Sequence, residues 1–166
     1  MTKKKILIAT GGTGGHIFPA LSLAKNLIKK NYDIILTTDK RGLKYLSDTN
    51  EINLKKITSS PLVKKNIFRL IYSALLICYS TVKSLFLLSL NRPHIILGMG
   101  GFSSFPICVA AIILRIKFII YENNLIIGKA NKYLLHFAEK IFVSYKDLEG
   151  IKEKNKKKSN CGWQYN

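Results

Sequence analysis

Residues 10–20 read TGGTGGHIFPA, and no other stretch of the chain restricts the fold as much. Ahead of it, Ile6-Leu7-Ile8-Ala9 is a short apolar run of the kind that forms a strand covered on both faces. Behind it, Ile17, Ala20, Leu21, Ala24, Leu27 and Ile28 recur at helical spacing. Gly11, Gly12, Gly14 and Gly15 therefore occupy a strand-to-helix turn, where they permit positive φ and leave backbone N–H groups uncovered at the positive end of a helix dipole. Such a turn is an anion site. Spacing excludes two familiar forms of it. The dinucleotide fingerprint begun at Gly12 needs glycine where Ile17 stands, and a P-loop needs Lys followed by Ser or Thr. His16 is expected in the first turn of the helix, where its charged form is disfavoured, so that it is neutral near pH 7 and able to accept a proton. Capping the helix or packing against the sheet explains a lone histidine equally well. Pro19 is expected near the helix start, where a missing N–H costs little.

The rest of the chain repeats this alternation. Lys29-Lys30-Asn31 closes the first helix, Asp33 to Thr37 reads as a second buried strand, Arg41 to Ser47 as a short helix and Leu54 to Thr58 as a third strand. A long apolar helix is predicted over Ile67 to Leu90, a strand over Ile95 to Leu97, and a second glycine turn over Gly98-Met99-Gly100-Gly101. Pro106 to Leu114 is predicted helical, Phe118 to Tyr121 a strand, Lys129 to Phe137 a helix and Lys140 to Ser144 a last strand. Strands alternating with helices predict an α/β domain built on a doubly wound, Rossmann-like parallel sheet. Ligands of such sheets collect outside the carboxyl ends of the strands, and the polar stretches after Ala9, Leu97 and Tyr121 all lie there.

Charge narrows the partners. The 166 residues carry 27 Lys and Arg against 9 Asp and Glu, a net charge of +18, with 48% hydrophobic residues. One domain with a sizeable core is expected, and a partner that is a phosphorylated substrate or an anionic membrane surface. Lysine supplies most of the charge and no Arg-rich or aromatic stripe is present, so nucleic acid is not expected. Cys78, Cys108 and Cys161 have no metal-ligand spacing, and the first two read as small core residues of a reducing compartment. Lys3 to Lys5 lead directly into a strand, so no secretory signal is expected and the cytoplasm is the expected location. Arg69 and Lys83 interrupt the long apolar helix, leaving an uncharged run shorter than the roughly 20 residues that span a bilayer. On its wheel Arg69, Ser73, Ser80 and Ser84 form a polar stripe opposite Ile71, Leu75, Cys78, Val82 and Leu85. Those five are expected to face a membrane interface, with Lys64, Lys65, Arg69 and Lys83 on anionic lipid, or else to cover a loop or a second domain.

GGTGGH, GMGGFSSFP and YENN, in that order and within a stretch ending near Tyr145, resemble the MurG family. These bacterial glycosyltransferases move N-acetylglucosamine from UDP-N-acetylglucosamine to undecaprenyl-pyrophosphoryl-N-acetylmuramoyl-pentapeptide in peptidoglycan synthesis. The resemblance implies the N-terminal half of a GT-B glycosyltransferase, peripheral on the cytoplasmic side of the plasma membrane. It implies that Gly11, Gly12, Thr13, Gly14 and Gly15, with Gly98, Gly100 and Gly101, cradle the diphosphate of the undecaprenyl-linked acceptor through backbone N–H groups. His16 becomes a candidate general base, Glu122 a rival base or an orienting residue, and Asn124, with Thr13 and Gly14, a contact of the donor sugar. Glu122 and Asn124 match the family's H-E-Q-N stretch, from which Tyr121 and Asn123 depart. A tight connection at the second glycine turn, or a surface pairing of Glu122 with Lys129 or Lys132, are the structural alternatives. No metal and no cofactor beyond the substrate UDP-N-acetylglucosamine is implied.

The family pattern continues into a donor-binding C-terminal domain. Here residues 1–148 are expected to form the acceptor-binding domain and residues 149–166 a polar, basic tail without strand or helix periodicity, carrying Lys152 to Lys158. With the donor-binding domain absent, the isolated chain is expected to be inactive. The alternative is a non-catalytic membrane-anchoring and binding subunit of a split glycosyltransferase, partnered by a separate C-terminal donor-binding chain. A third reading is a nucleotide-binding domain unrelated to lipid.

Overall fold

A computed structural model describes residues 3–46, 52–58, 66–145, 148–151 and 159–161. The predicted apolar runs are strands: β1 (Lys5–Ala9), β2 (Asp33–Thr38), β3 (Asn53–Lys56), β4 (Ile95–Gly98), β5 (Phe118–Glu122) and β6 (Lys140–Val143), followed by β7 (Ser159–Cys161). All neighbours pair in parallel, in the order β3-β2-β1-β4-β5-β6-β7. Between the strands run α1 (Gly14–Lys29), a 3-10 turn (Gly42–Tyr45), α2 (Ile67–Asn91), α3 (Ser104–Ile113) and α4 (Lys129–Leu134). Asn31 ends α1 as predicted: it is left-handed, with φ of 65°, its N–H donates to the Ile28 carbonyl, and that of Tyr32 to the Leu27 carbonyl.

Alternation along the strands sorts the core into two layers. Ile6 and Ile8 pack with Ile17, Ala20 and Ala24 of α1, while Leu7 and Ala9 pack with Leu88, Ile107 and Leu134 of α2, α3 and α4. Ala9 is registered opposite Gly98, so β1 and β4 leave the sheet at one level and their glycine turns emerge side by side. On the α1 side the sheet is less fully covered, and Ile95, Leu97, Ile119, Tyr121 and Phe142 line an open groove of about 850 Å³.

Several expectations are corrected. The segment after residue 148, expected to hold no strand, adds Ser159–Cys161 to the edge of β6. An edge strand pairs through backbone groups that every sequence owns, so side-chain periodicity does not announce it. α3 begins at Ser104, taking Pro106 into its first turn, where proline is tolerated, and α4 stops at Leu134, short of Phe137. The Phe137 and Ala138 N–H groups both donate to the Leu134 carbonyl, a tightened end. Ser47, Lys64, Lys65 and Lys152 to Lys158 lie outside the described residues.

In α2 the serine stripe is the inward face. Ser73, Ser80, Ser84 and Leu88 are buried, whereas Ile71, Tyr72, Leu75, Tyr79, Val82 and Phe86 are exposed. Ser84 Oγ donates to the Ser80 carbonyl at 2.7 Å and Ser80 Oγ to the Thr58 carbonyl, so small side chains let the helix approach closely without stranding polar atoms. Of the five residues expected at a membrane interface, Ile71, Leu75, Cys78 and Val82 are exposed. Leu85 is instead half-buried against the core, because it stands three residues before Leu88 and shares its side of the helix. By length and composition α2, at 25 residues, is able to cross a bilayer, yet its inward face is held by the fold from Ser73 to Leu88.

Candidate functional site

The two glycine turns meet backbone to backbone. A methyl group on Gly11 would lie 2.6 Å from the Gly101 Cα, and Gly101, with φ of +80°, is equally close to Gly11 in return. Neither position has room for a side chain. The Met99 N–H donates to the Ala9 carbonyl at 2.8 Å and Ser103 Oγ to the Thr10 carbonyl at 2.7 Å, fastening the second turn to the first. Sequence reasoning missed Ser103, whose partner is 93 residues away.

Of the eight loop residues expected around a diphosphate, Gly11, Gly12, Gly98 and Gly100 are buried, and Thr13, Gly14, Gly15 and Gly101 reach the surface. Among the buried four, a side chain on Gly11 would meet Gly101, one on Gly12 would meet Asp39 and Arg41, one on Gly98 would meet Cys108, and one on Gly100 would meet His16. The N–H groups of Thr13, Gly14 and Gly15 find no acceptor among the described residues, and Thr13 precedes α1 without a side-chain cap. The positive end of α1 is therefore open to an anion.

His16 stands in the first turn of α1, against the second glycine turn. A methyl group on Gly100 would lie 3.0 Å from the imidazole Cε1 and 3.2 Å from Nδ1, so the bare Cα makes room for the ring. Nδ1 is buried without a hydrogen-bond partner among the described residues. Burial holds the His16 pKa below the ordinary imidazole value, opposed by the Glu122 carboxylate and the Met99 backbone. The shift favours the neutral imidazole, with desolvation as its leading cause.

Pro19 falls in the second turn of α1, later than expected, because the helix already starts at Gly14. Lacking an N–H, it leaves the Gly15 carbonyl without a helical donor. Asn123 Nδ2 donates to that carbonyl at 2.8 Å and ties the loop after β5 to the start of α1. Sequence reasoning missed this role of Asn123; the signal was a proline four residues beyond a loop glycine.

Glu122 is 1% exposed, and the surface pairing with Lys129 or Lys132 is not among the ion pairs of the described residues. Its Oε1 accepts from the Asn124 N–H at 3.1 Å and from Asn124 Nδ2 at 2.6 Å. Its Oε2 accepts from the Gly128 N–H and from Asn131 Nδ2, both at 2.9 Å. A carboxylate so occupied holds the loop after β5 in place, which favours the orienting role over that of a base. The Asn124 amide nitrogen is spent on Glu122, leaving its amide oxygen for a ligand. Asn131, also missed, is buried and lies 3.7 Å from the methyl position of Gly100, so the Glu122 loop and His16 share one wall.

Across β1, the turn after β2 lies on the first glycine loop. Asp39 accepts from the Arg41 N–H at 2.9 Å, Arg41 Nε at 3.3 Å, Arg41 Nη2 at 2.7 Å and the Gly42 N–H at 3.1 Å. Burial alone would raise the Asp39 pKa, but the bonds from Arg41 and Gly42 outweigh it and hold the carboxyl below its ordinary value. A methyl group on Gly12 would fall onto Asp39 Oδ1 and within 2.7 Å of Arg41 Cβ.

The glycosyltransferase family 28 N-terminal domain matches residues 6–143. A UDP-N-acetylglucosamine--N-acetylmuramyl-(pentapeptide) pyrophosphoryl-undecaprenol N-acetylglucosamine transferase of Pelagibacter ubique is 37% identical over 155 residues, 92% of this chain and 43% of the relative. A transferase of the same name from Rickettsia canadensis is 39% identical over 157 residues, 93% of this chain and 42% of its own length. The crystal structure of Acinetobacter baumannii MurG superposes with a TM-score of 0.76 at 25% identity, covering 92% of this chain and 44% of that one. The chain thus spans about two fifths of the length of the relatives it matches.

Proposed function

Because the chain belongs to glycosyltransferase family 28, over that family's N-terminal domain, we propose that it is the acceptor-binding half of an inverting N-acetylglucosaminyltransferase of peptidoglycan synthesis. The observation that carries this reading is the pair of glycine turns locked together at the carboxyl ends of β1 and β4, with the open start of α1 and a neutral imidazole beside them. The acceptor, an undecaprenyl-linked diphosphate sugar, places its phosphate oxygens on the free N–H groups of Thr13 to Gly15. His16 takes the proton of the acceptor hydroxyl as that oxygen bonds the anomeric carbon of UDP-N-acetylglucosamine and UDP departs from the opposite face. Glu122 and Asn131 hold the wall behind His16, and the Asn124 amide oxygen meets the donor sugar. In this reading most donor contacts come from a second domain. Mixing it with the separately produced carboxy-terminal half of the Rickettsia canadensis relative and assaying transfer from UDP-N-acetylglucosamine tests this. Restored transfer supports the reading, while association without transfer favours the second one, a non-catalytic anchoring subunit.

The exposed face of α2, with Phe68, Leu75 and Phe86 more than half exposed, supports peripheral attachment at the cytoplasmic face of the membrane. Lys83 lies 4.7 Å from the Tyr79 ring centroid, a basic group within the apolar face. The chain is expected to float with vesicles containing anionic lipid at low salt. Leu75→Glu with Phe86→Glu is expected to lower the floated fraction at least about fivefold. A double variant that floats like the parent removes α2 from the attachment.

A further inference from the structure

Among the described residues three ion pairs form, and their positions differ. Lys5 pairs with Asp33 at the amino ends of β1 and β2, and Lys117 pairs with Glu139 just before β5 and β6. The third, Arg41 with Asp39, follows the carboxyl end of β2, on the rim where the glycine turns open. Asp39 is 4% exposed and holds Arg41 through Nε, Nη2 and the backbone N–H, whereas the Arg41 side chain is 54% exposed. The rest of its guanidinium N–H groups have no partner among the described residues. Gly12 is pressed against both residues, so this clamp and the first glycine loop form one surface.

We infer that Arg41, clamped by the buried Asp39 against Gly12, is a phosphate-binding residue for an organic diphosphate seated on the first glycine loop. This rests on the proposed acceptor site and adds to it a side chain that neither the family likeness nor the glycine spacing singles out. A guanidinium already fixed by a carboxylate presents its remaining donors in one plane and loses little freedom when an oxyanion arrives. Asp39 is then a positioning residue: it sets the direction of the guanidinium without touching the ligand. The same chemistry suits a lipid-linked diphosphate or a nucleoside diphosphate.

The test is a titration of the ¹⁵N-labelled full chain with inorganic pyrophosphate, followed at the amides of Thr13 to Gly15 and at Arg41 Nε–H. Arg41→Gln is expected to weaken binding about tenfold or more, and Arg41→Lys by roughly three- to fivefold. Lys44→Gln, which removes an exposed charge from the same turn, is expected to stay within about twofold of the parent. Asp39→Asn is expected to weaken binding while broadening the Arg41 Nε–H signal, a mobility readout that lost charge alone does not give. Should Arg41→Gln lose its dispersed spectrum, Arg41→Lys carries the comparison. An Arg41→Gln chain that binds like the parent, with the loop amides still responding, overturns the inference and leaves the acceptor site standing. Equal losses in Arg41→Gln and Lys44→Gln overturn it in favour of diffuse charge. Silent loop amides in the parent overturn both. Parallel titrations with geranyl diphosphate and uridine diphosphate identify the source, the true one being the ligand whose affinity depends more strongly on Arg41.

Discussion

His16→Ala, introduced into the chain and assayed with a complementary donor-binding half, is expected to lower kcat about 10²- to 10⁴-fold while leaving the affinity for UDP-N-acetylglucosamine within about threefold. The imidazole sits where a proton acceptor is useful, in the first turn of α1, beside Gly100 and the free N–H groups of the helix start. Its pKa is depressed chiefly by burial, so the neutral form persists as pH falls through the ordinary histidine value of 6.5. The acid limb of the kcat profile is therefore expected below pH 6.5, and to vanish from the residual activity of His16→Ala. A limb above 6.5, or parallel losses in kcat and donor affinity, would assign the ring a structural part only.

Gly101→Ala is expected to destabilise the domain by about 2–5 kcal/mol, because a φ of +80° strains any L side chain and the new methyl meets the Gly11 backbone. For a chain of this size that is a fall in Tm of roughly 5–15 °C by calorimetry. Gly15→Ala is the comparison, since among the described residues a methyl there meets only Asn123 Nδ2, at 3.6 Å, and the position is helical. It is expected to lie within about 1 kcal/mol of the parent. Similar losses at both positions would mean that glycine is needed for local chain freedom and not for the contact between turns.

The sheet was legible because β1, β2, β4, β5 and β6 read as continuous apolar runs, although only β1 and β2 are buried on both faces and β4 to β6 turn one face to the open groove. Ser159–Cys161 has no such pattern, its pairing to β6 being a matter of backbone alone. The outward turn of Ile71, Leu75, Cys78 and Val82 was legible from the width of the apolar arc; that the opposite serine stripe forms the buried face was not, since only the closeness of the packed layers makes a small hydroxyl the inward choice. At the site, glycines and a histidine announced themselves by type. What they do to each other did not, because Gly11 with Gly101, Gly15 with Asn123 and Ser103 with Thr10 are bound across long stretches of chain.

The abutment of Gly11 on Gly101 has a mechanical outcome. At Gly11 and Gly101 main chain meets main chain with no flexible side chain between to absorb movement, and Ser103 Oγ ties the same two bends, so a shift in one is handed to the other. Whatever settles at the mouth of α1 is thereby felt at the crossover into α3, and the pair responds as a single rigid jaw.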